Sequence, residues 1–113
     1  MQDFQKNFGN TGEQIAERFL RSRGLEILAK NFHAREGEVD IVARDGETII
    51  FVEVKARRNQ KFGSAIESVD ERKLEKIAAA GERFLQKNSL ENSAWRVDVI
   101  AIDEGKLKWI RGV

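Results

Sequence analysis

Four charged residues of this sequence occur in two closely spaced pairs, Glu38 with Asp40 and Glu53 with Lys55. Alternate residues of a β-strand share a face, so each pair would place both side chains on one side of its strand. Carboxylates that are brought together repel one another unless a cation neutralises them. Their oxygens select hard ions such as Mg²⁺ or Mn²⁺. With a lysine that can hold water or offset charge on phosphate, the set is suited to metal-assisted phosphodiester hydrolysis.

A β-hairpin is the element that would bring the two pairs together. Residues 39–43 and 48–55 form two runs of strand-forming residues, and Asp45-Gly46 lies between them. An Asp-Gly dipeptide between such runs is a strong signal for a two-residue hairpin turn. The sequence therefore predicts two antiparallel strands that turn at Asp45-Gly46.

The predicted turn also fixes which residues face one another. With Asp45-Gly46 as the turn, Phe51 lies opposite Asp40 and Glu53 lies opposite Glu38. Asp40 and Glu53 then become diagonal neighbours at about 7–8 Å, within side-chain reach. The competing interpretation is a charged hairpin face that serves solubility and edge protection. The apolar run before Glu53 favours a site, because it is typical of an internal strand.

The formal net charge of +1 hides a segregated pattern. Residues 36–53 hold six acids against one arginine, a net charge of −5, whereas residues 18–35 and 54–63 each carry +4. The second basic segment contains Lys55, Arg57, Arg58 and Lys61. Arginine and lysine beside an acidic centre suit contacts to phosphates. On the first predicted helix, Arg18, Arg21 and Arg23 would add a second line of contacts, and each of these three, taken singly, is equally compatible with an ordinary helix-surface arginine.

Composition narrows the remaining chemistry. The chain has 113 residues, no cysteine and one histidine, which excludes disulfides, thiolate zinc sites and a cysteine nucleophile. This length predicts a single domain over residues 1–113. No apolar run is long enough to span a membrane, and the N-terminus has no apolar signal segment. We therefore expect a cytoplasmic protein that does not enter a membrane.

The hairpin is preceded by a predicted helix and strand. Thr11 and Gln14 match a capping box, followed by an apolar stripe at helical spacing. Gly24 stands where a glycine commonly ends a helix. Residues 25–32 then read as the first strand.

The rest of the chain predicts a second helix and two more strands. Residues 64–86 are helical in pattern, with Asp70 as the cap of a fresh start, and residues 96–102 and 106–111 are strands joined by Glu104-Gly105. The order is α-β-β-β-α-β-β. We expect a mixed sheet that is covered by helices on both faces.

The hairpin residues resemble a known nuclease motif. Residues 37–40, Gly-Glu-Val-Asp, followed by residues 51–55, Phe-Val-Glu-Val-Lys, resemble the PD-(D/E)XK nuclease superfamily. Val39 replaces the proline of the superfamily's name motif. Further elements along the chain resemble the YraN family of small bacterial proteins within that superfamily. These are Gly12-Glu13, Asn31-Phe32, Phe62-Gly63 and Arg96-Val97-Asp98. The resemblance implies a restriction-endonuclease-like α/β fold, similar in layout to archaeal Holliday-junction resolvases.

The same resemblance implies roles for individual residues. Asp40 would be the central metal ligand, and Glu53 the second ligand, with help from the Val54 carbonyl. Lys55 would position the attacking water or stabilise charge on the phosphate. Glu13 matches an acid that the resolvases add from the first helix, although an acid there also suits the helix dipole. Glu38 is either an outer metal ligand or simply an acid of the hairpin.

Several other residues have two interpretations each. Lys73 is either a polar site residue that contacts nucleic acid or a solvated helix lysine. Trp95 and Trp109 are either base-stacking residues or core and interface residues. His33 reads as a surface residue, and Asp98 as a structural acid.

The sequence thus predicts a metal-dependent DNA endonuclease that uses Mg²⁺ or Mn²⁺ and acts on DNA, including branched or damaged DNA. The alternative is a non-catalytic nucleic-acid-binding module on the same fold. A protein-interaction scaffold that docks through the charged hairpin is the third hypothesis. A homodimer would suit an enzyme that cuts two strands.

Overall fold

The computed structural model of the protein describes the backbone of residues 4–59, 61 and 63–113, and their side chains from residue 12 onward. Phe62 of the family resemblance lies outside the described residues. The elements follow the predicted order, with one short 3₁₀-helix at Ile66–Ser68. They are α1 (Phe4–Ser22), β1 (Glu26–His33), β2 (Glu38–Asp45), β3 (Thr48–Arg57), α2 (Glu71–Lys87), β4 (Ala94–Asp103) and β5 (Lys106–Ile110).

The five strands form one sheet in the spatial order β1-β2-β3-β4-β5. The strands β3 and β4 run parallel, and every other neighbouring pair is antiparallel. Because a parallel pair needs a crossover connection, the chain passes through α2 between β3 and β4. The mixed α/β architecture predicted from the sequence is confirmed.

A core lies on each face of the sheet, and β3 contributes to both. Ile50 and Val52 pack in the cluster that contains Ala16 and Leu20 of α1. The alternate residues Ile49 and Phe51 pack in the cluster that contains Ile77 and Phe84 of α2. Each of these four β3 side chains is at most 1% exposed. The prediction of a strand buried on both sides is confirmed, and helices cover both faces as expected.

The first helix starts earlier than the capping box indicated. It begins at Phe4, so Thr11 lies inside the helix and the predicted cap with Gln14 is wrong. A Thr-x-x-Gln spacing also fits the interior of a helix, so the pattern alone does not fix the first turn. The end is as predicted, because Gly24 follows the helix with φ of +85°, a conformation that glycine adopts without a steric penalty.

The second helix has the predicted cap, but it begins at Glu71, and the helical pattern predicted from residue 64 gives only the 3₁₀-helix Ile66–Ser68 before it. Asp70 caps α2, and its side chain accepts a 2.9 Å hydrogen bond from the Lys73 backbone N–H. Farther along, α2 approaches the sheet closely at Gly81. A Cβ atom at this position would lie 2.5 Å from the ring of Phe51. The absent side chain of Gly81 is therefore what allows α2 to pack against the centre of β3.

The hairpin between β2 and β3 forms, but its predicted register is wrong by two residues. Asp45 pairs with Thr48, so Gly46 and Glu47 form the two-residue loop. Gly46 has a φ of +60°. A glycine at the first central position is the pattern of a type II′ turn, which suits the twist of a hairpin.

The observed register changes which residues pair across the hairpin, but it does not change the side of the sheet on which each residue lies. Phe51 pairs with Val42 instead of Asp40. The pairing of β2 with β3 ends at Ile41 and Val52, before it reaches Glu38, which pairs with His33 of β1. Since the shift is an even number of residues, Asp40 and Glu53 still point to the same side of the sheet.

No helix within the described ranges is long and apolar enough to cross a membrane.

Candidate active site

A pocket of about 300 Å³ lies where α1 and α2 meet the ends of β2 and β3. We call it the carboxylate pocket. It is lined by Gly12, Glu13, Asp40, Glu53, Val54, Lys55, Ala56 and Lys73. The fold therefore brings together five side chains that the sequence analysis singled out, namely Glu13, Asp40, Glu53, Lys55 and Lys73.

Asp40 is held against β3 by the backbone of that strand. Its Oδ2 accepts a 2.8 Å hydrogen bond from the Val54 N–H. The β2–β3 backbone pairs extend to Ile41 and Val52, so the carboxylate of Asp40 satisfies an N–H just beyond them. This bond fixes the direction of the Asp40 side chain toward Glu53.

Glu53 is the most deeply buried acid of the pocket, with only 3% of its surface exposed. Burial, a hydrogen bond with Asp40 and the charge of Asp40 raise the pKa of Glu53 to about 8, while Lys73 and Lys55 oppose the shift. A carboxylate in a poorly solvated place beside another acid holds its proton until a positive charge compensates it. A further positive charge in the pocket would therefore favour the ionised form of Glu53.

Two lysines approach the same oxygen of Glu53. Lys73 Nζ lies 3.4 Å from Oε2, and Lys55 Nζ lies 3.9 Å from it. The Lys73 side chain is 42% exposed and that of Lys55 is 32% exposed. Both ammonium groups can thus reach a ligand in the pocket while they remain beside the acids.

Glu13 enters the pocket from α1. Burial and then the charge of Asp40 raise the pKa of Glu13, and the charge of Glu38 adds to the effect. A side-chain hydrogen bond with Asn31 acts in the opposite direction. Glu13 and Asp40 are thus close enough to influence one another, although they lie on different elements.

Asn31 is a site neighbour to which the sequence analysis gave no role. It has a φ of +52° inside β1, and asparagine is one of the few residues with a side chain that tolerate this conformation. Its side chain hydrogen-bonds Glu13. Besides the Asn31-Phe32 element of the family resemblance, the sequence signal for this position is the residue type itself.

Other predicted site residues lie outside the carboxylate pocket. The Glu38 carboxylate is 46% exposed and lies 3.8 Å from His33 Nδ1. Arg57 and Arg58 are exposed and line an adjacent pocket. Lys61 is exposed, and its backbone N–H donates to the Asn59 side chain.

The acid in the late strand is structural. Asp98 is fully buried and accepts hydrogen bonds from the Arg96 guanidinium, the Trp109 ring N–H and the Gly112 N–H. Trp109 also packs edge-on against Phe19. The geometry therefore favours a structural interpretation of Asp98 and Trp109.

Trp95 lies elsewhere on the sheet and remains 39% exposed. Its ring contacts Phe51 at 5.7 Å between centroids. This contact places Trp95 at the margin of the α2-side core.

Fold and pocket together define the class of protein: a mixed α/β protein with three acids and two lysines lining a pocket between its helices. Residues 12–102 match the family described as "Uncharacterised protein family UPF0102". A UPF0102 protein of Neisseria gonorrhoeae is 41% identical over 106 residues, covering 93% of this chain and 92% of the relative. One from Caldicellulosiruptor saccharolyticus is 42% identical over 98 residues, covering 87% and 83%. The chain therefore belongs to the UPF0102 family, which confirms the resemblance to the YraN group.

Proposed function

We propose that this protein is a metal-dependent DNA endonuclease of the PD-(D/E)XK type, which hydrolyses phosphodiester bonds with Mg²⁺ or Mn²⁺. The observation that carries the proposal is the meeting of Asp40 and Glu53 in one pocket with Lys55 and Lys73. Two acids and two lysines match the needs of a phosphate and a hard cation better than they match any apolar ligand.

The donor set fits a hard divalent cation. Burial beside Asp40 raises the pKa of Glu53, and a bound cation would favour the ionised form of this acid. Within the described parts of the chain, no group of three or more His, Cys, Asp or Glu side chains surrounds one point. Mg²⁺ commonly binds through one or two carboxylates and keeps several waters. Asp40 and Glu53 would therefore be the ligands, with the Val54 carbonyl as a further oxygen and Glu13 and Glu38 as outer acids.

When bound, such an ion supplies Lewis-acid polarisation of the phosphodiester. The protein's own residues would do the rest. Lys55 would hold the attacking water and offset charge on the phosphate, and Lys73 would neutralise a phosphate oxygen. In the reaction the attacking water would release a proton to solvent as its oxygen bonds to phosphorus, one ester P–O bond would break, and the leaving oxygen would take up a proton from solvent. Glu13 would orient water from the α1 side.

The strand that carries Glu53 and Lys55 leads directly to the basic residues. Arg57, Arg58 and Lys61 are exposed, and contacts to flanking phosphates would set the position of the strand without reading its sequence. We extend the proposal to branched and damaged DNA as substrates. A homodimer, which would present two pockets to two strands, and a cytoplasmic location belong to the same proposal.

A second candidate is a nucleic-acid-binding module without catalysis. The observation that favours it is the absence of a third carboxyl or imidazole ligand among the described residues. The same fold can host a site that only binds. In that case the substitution Asp40→Asn would leave DNA affinity unchanged or increase it, because it removes a negative charge that faces phosphate.

The direct test is cleavage of a panel of duplex, flap and four-way-junction DNAs with Mg²⁺, Mn²⁺ or EDTA. We expect cleavage of at least one DNA with metal and none in EDTA. Asp40→Asn should abolish it, whereas Asp45→Asn, at an exposed end of the same strand, should not. If the wild-type protein binds the DNAs but cuts none, the binding module replaces the nuclease.

A further inference from the structure

A second pocket, of about 250 Å³, adjoins the carboxylate pocket on the α1 side of the sheet. We call it the side pocket. Its apolar walls are Gly12 and Ile15 of α1, Ala56 of β3 and Ile102 of β4. Ile15 is 40% exposed there, so an apolar surface stands open to solvent.

The partition between the two pockets is thin. Gly12 and Ala56 line both of them. A Cβ atom at Gly12 would already touch Ala56 Cβ at 3.4 Å. Only the shared wall of Gly12 and Ala56 therefore separates a ligand in the carboxylate pocket from the side pocket.

The rim of the side pocket is charged, with a surplus of positive charge. Arg57 and Arg58 contribute to it from the end of β3, and Glu104 from the β4–β5 turn. An apolar interior under a rim with two arginines matches a ligand that is flat and apolar in one part and anionic in the next. A nucleotide has this character, because its base is joined through the sugar to a phosphate.

We propose that the side pocket receives an unpaired nucleobase of the strand whose phosphate lies in the carboxylate pocket. The inference rests on the proposed function and names its substrate class: DNA with an unpaired nucleotide at the bound phosphate. A paired base would have to leave its stack to enter, which costs free energy that an unpaired base does not require. Single-stranded, gapped and frayed DNA would therefore be preferred over intact duplex.

The test compares two strands of equal charge. One is a thymidine strand of about 12 nucleotides, and the other carries abasic residues throughout. Binding is measured by fluorescence anisotropy in EDTA, so that no strand is cut. We expect the wild-type protein to bind the thymidine strand at least five-fold more tightly than the abasic strand.

Two matched substitutions locate the preference. Ile15→Ser changes the side pocket and should remove the difference between the strands. Ile66→Ser changes an isoleucine of nearly equal exposure, 38%, which lines a different pocket, and should preserve it. Equal binding of both strands by the wild-type protein, or no measurable binding of the thymidine strand, overturns the inference. So does an equal loss in both variants.

The outcome is separable from that of the proposed function. Cleavage with Mg²⁺ that occurs without any preference for bases would sustain the nuclease and overturn the side pocket. A preference for bases that depends on Ile15, in a protein that cuts no DNA, would sustain the side pocket and overturn catalysis.

Discussion

Lys73 Nζ lies closer to the Glu53 carboxylate, at 3.4 Å, than Lys55 Nζ does, at 3.9 Å, although Lys55 is only two residues from Glu53 along the strand. The crossover helix α2 therefore supplies a cation to a site that the hairpin alone would leave more negative. The two lysines reach the same oxygen from different elements, which allows their roles to be separated by substitution.

Lys73→Ala should weaken DNA affinity, and Lys55→Ala should lower kcat. One lost phosphate contact reduces the slope of log affinity against log salt by about 1. We expect this change for Lys73→Ala, measured by anisotropy over a salt series. Lys87→Ala is the control, because it lies on the same helix about 21 Å away. An unchanged salt slope in Lys73→Ala would remove Lys73 from the DNA contact.

Glu53→Gln should stabilise the metal-free protein at high pH. The folded-state pKa of Glu53, about 8, lies above its ordinary value of 4.5. Between these values the folded state keeps a proton that the unfolded state has released, so stability falls as pH rises through this window and levels off above it. Removing the titration should make the variant more stable than the wild type at pH 8, and much less so at pH 5.

Urea unfolding in EDTA at several pH values measures this difference. We expect a gain of at least about 1.4 kcal/mol at pH 8, the equivalent of one pKa unit. Unfolding curves of Glu53→Gln and wild type that differ equally at every pH would contradict the raised pKa.

Asp98→Ala should strongly destabilise the fold without a direct effect on the pocket. Asp98 is fully buried and pairs with Arg96, Trp109 and Gly112, all of which would lose their acceptor. Breaking a buried ion pair by removing one partner costs about 3 kcal/mol or more. Asp45→Asn, at an exposed strand end, should change the free energy of unfolding by less than about 0.5 kcal/mol. If Asp98→Ala lowered the free energy of unfolding by less than about 0.5 kcal/mol, the structural role of Asp98 would be refuted.

Gly81→Ala should also destabilise, although alanine favours helices. The added Cβ would lie 2.5 Å from the Phe51 ring, which is fully buried. Overpacking of this kind costs about 1–3 kcal/mol. In a Phe51→Leu background the same substitution should cost less, because the smaller side chain gives room. Equal costs in both backgrounds would mean that the ring does not limit the approach of α2.

The order of the elements could be predicted from the helical spacing and the strand-forming runs. The burial of β3 on both faces could be predicted because such a strand has an uninterrupted apolar run. The hairpin register could not be predicted, since both Asp45-Gly46 and Gly46-Glu47 offer a glycine to a two-residue turn. Only the folded chain shows that Gly46 takes the first position, with φ of +60°.

The carboxylate pocket could be predicted only in part. The proximity of Asp40 and Glu53 followed from strand alternation, even with the wrong register, because the error was an even number of residues. Glu13 could be assigned to the site only from the family resemblance, because residue spacing does not reveal how α1 packs on the sheet. The contact of Lys73 with Glu53 depends on how α2 packs, which spacing does not reveal either. For the φ of Asn31 the residue type is the local signal.

The most direct test of the account is a crystal soaked with Mn²⁺ and measured at the manganese absorption edge. We predict an anomalous peak between the carboxylates of Asp40 and Glu53, and its loss in Asp40→Asn crystals soaked in the same way. A wild-type crystal at saturating Mn²⁺ with no peak between these two side chains would contradict the proposed metal site.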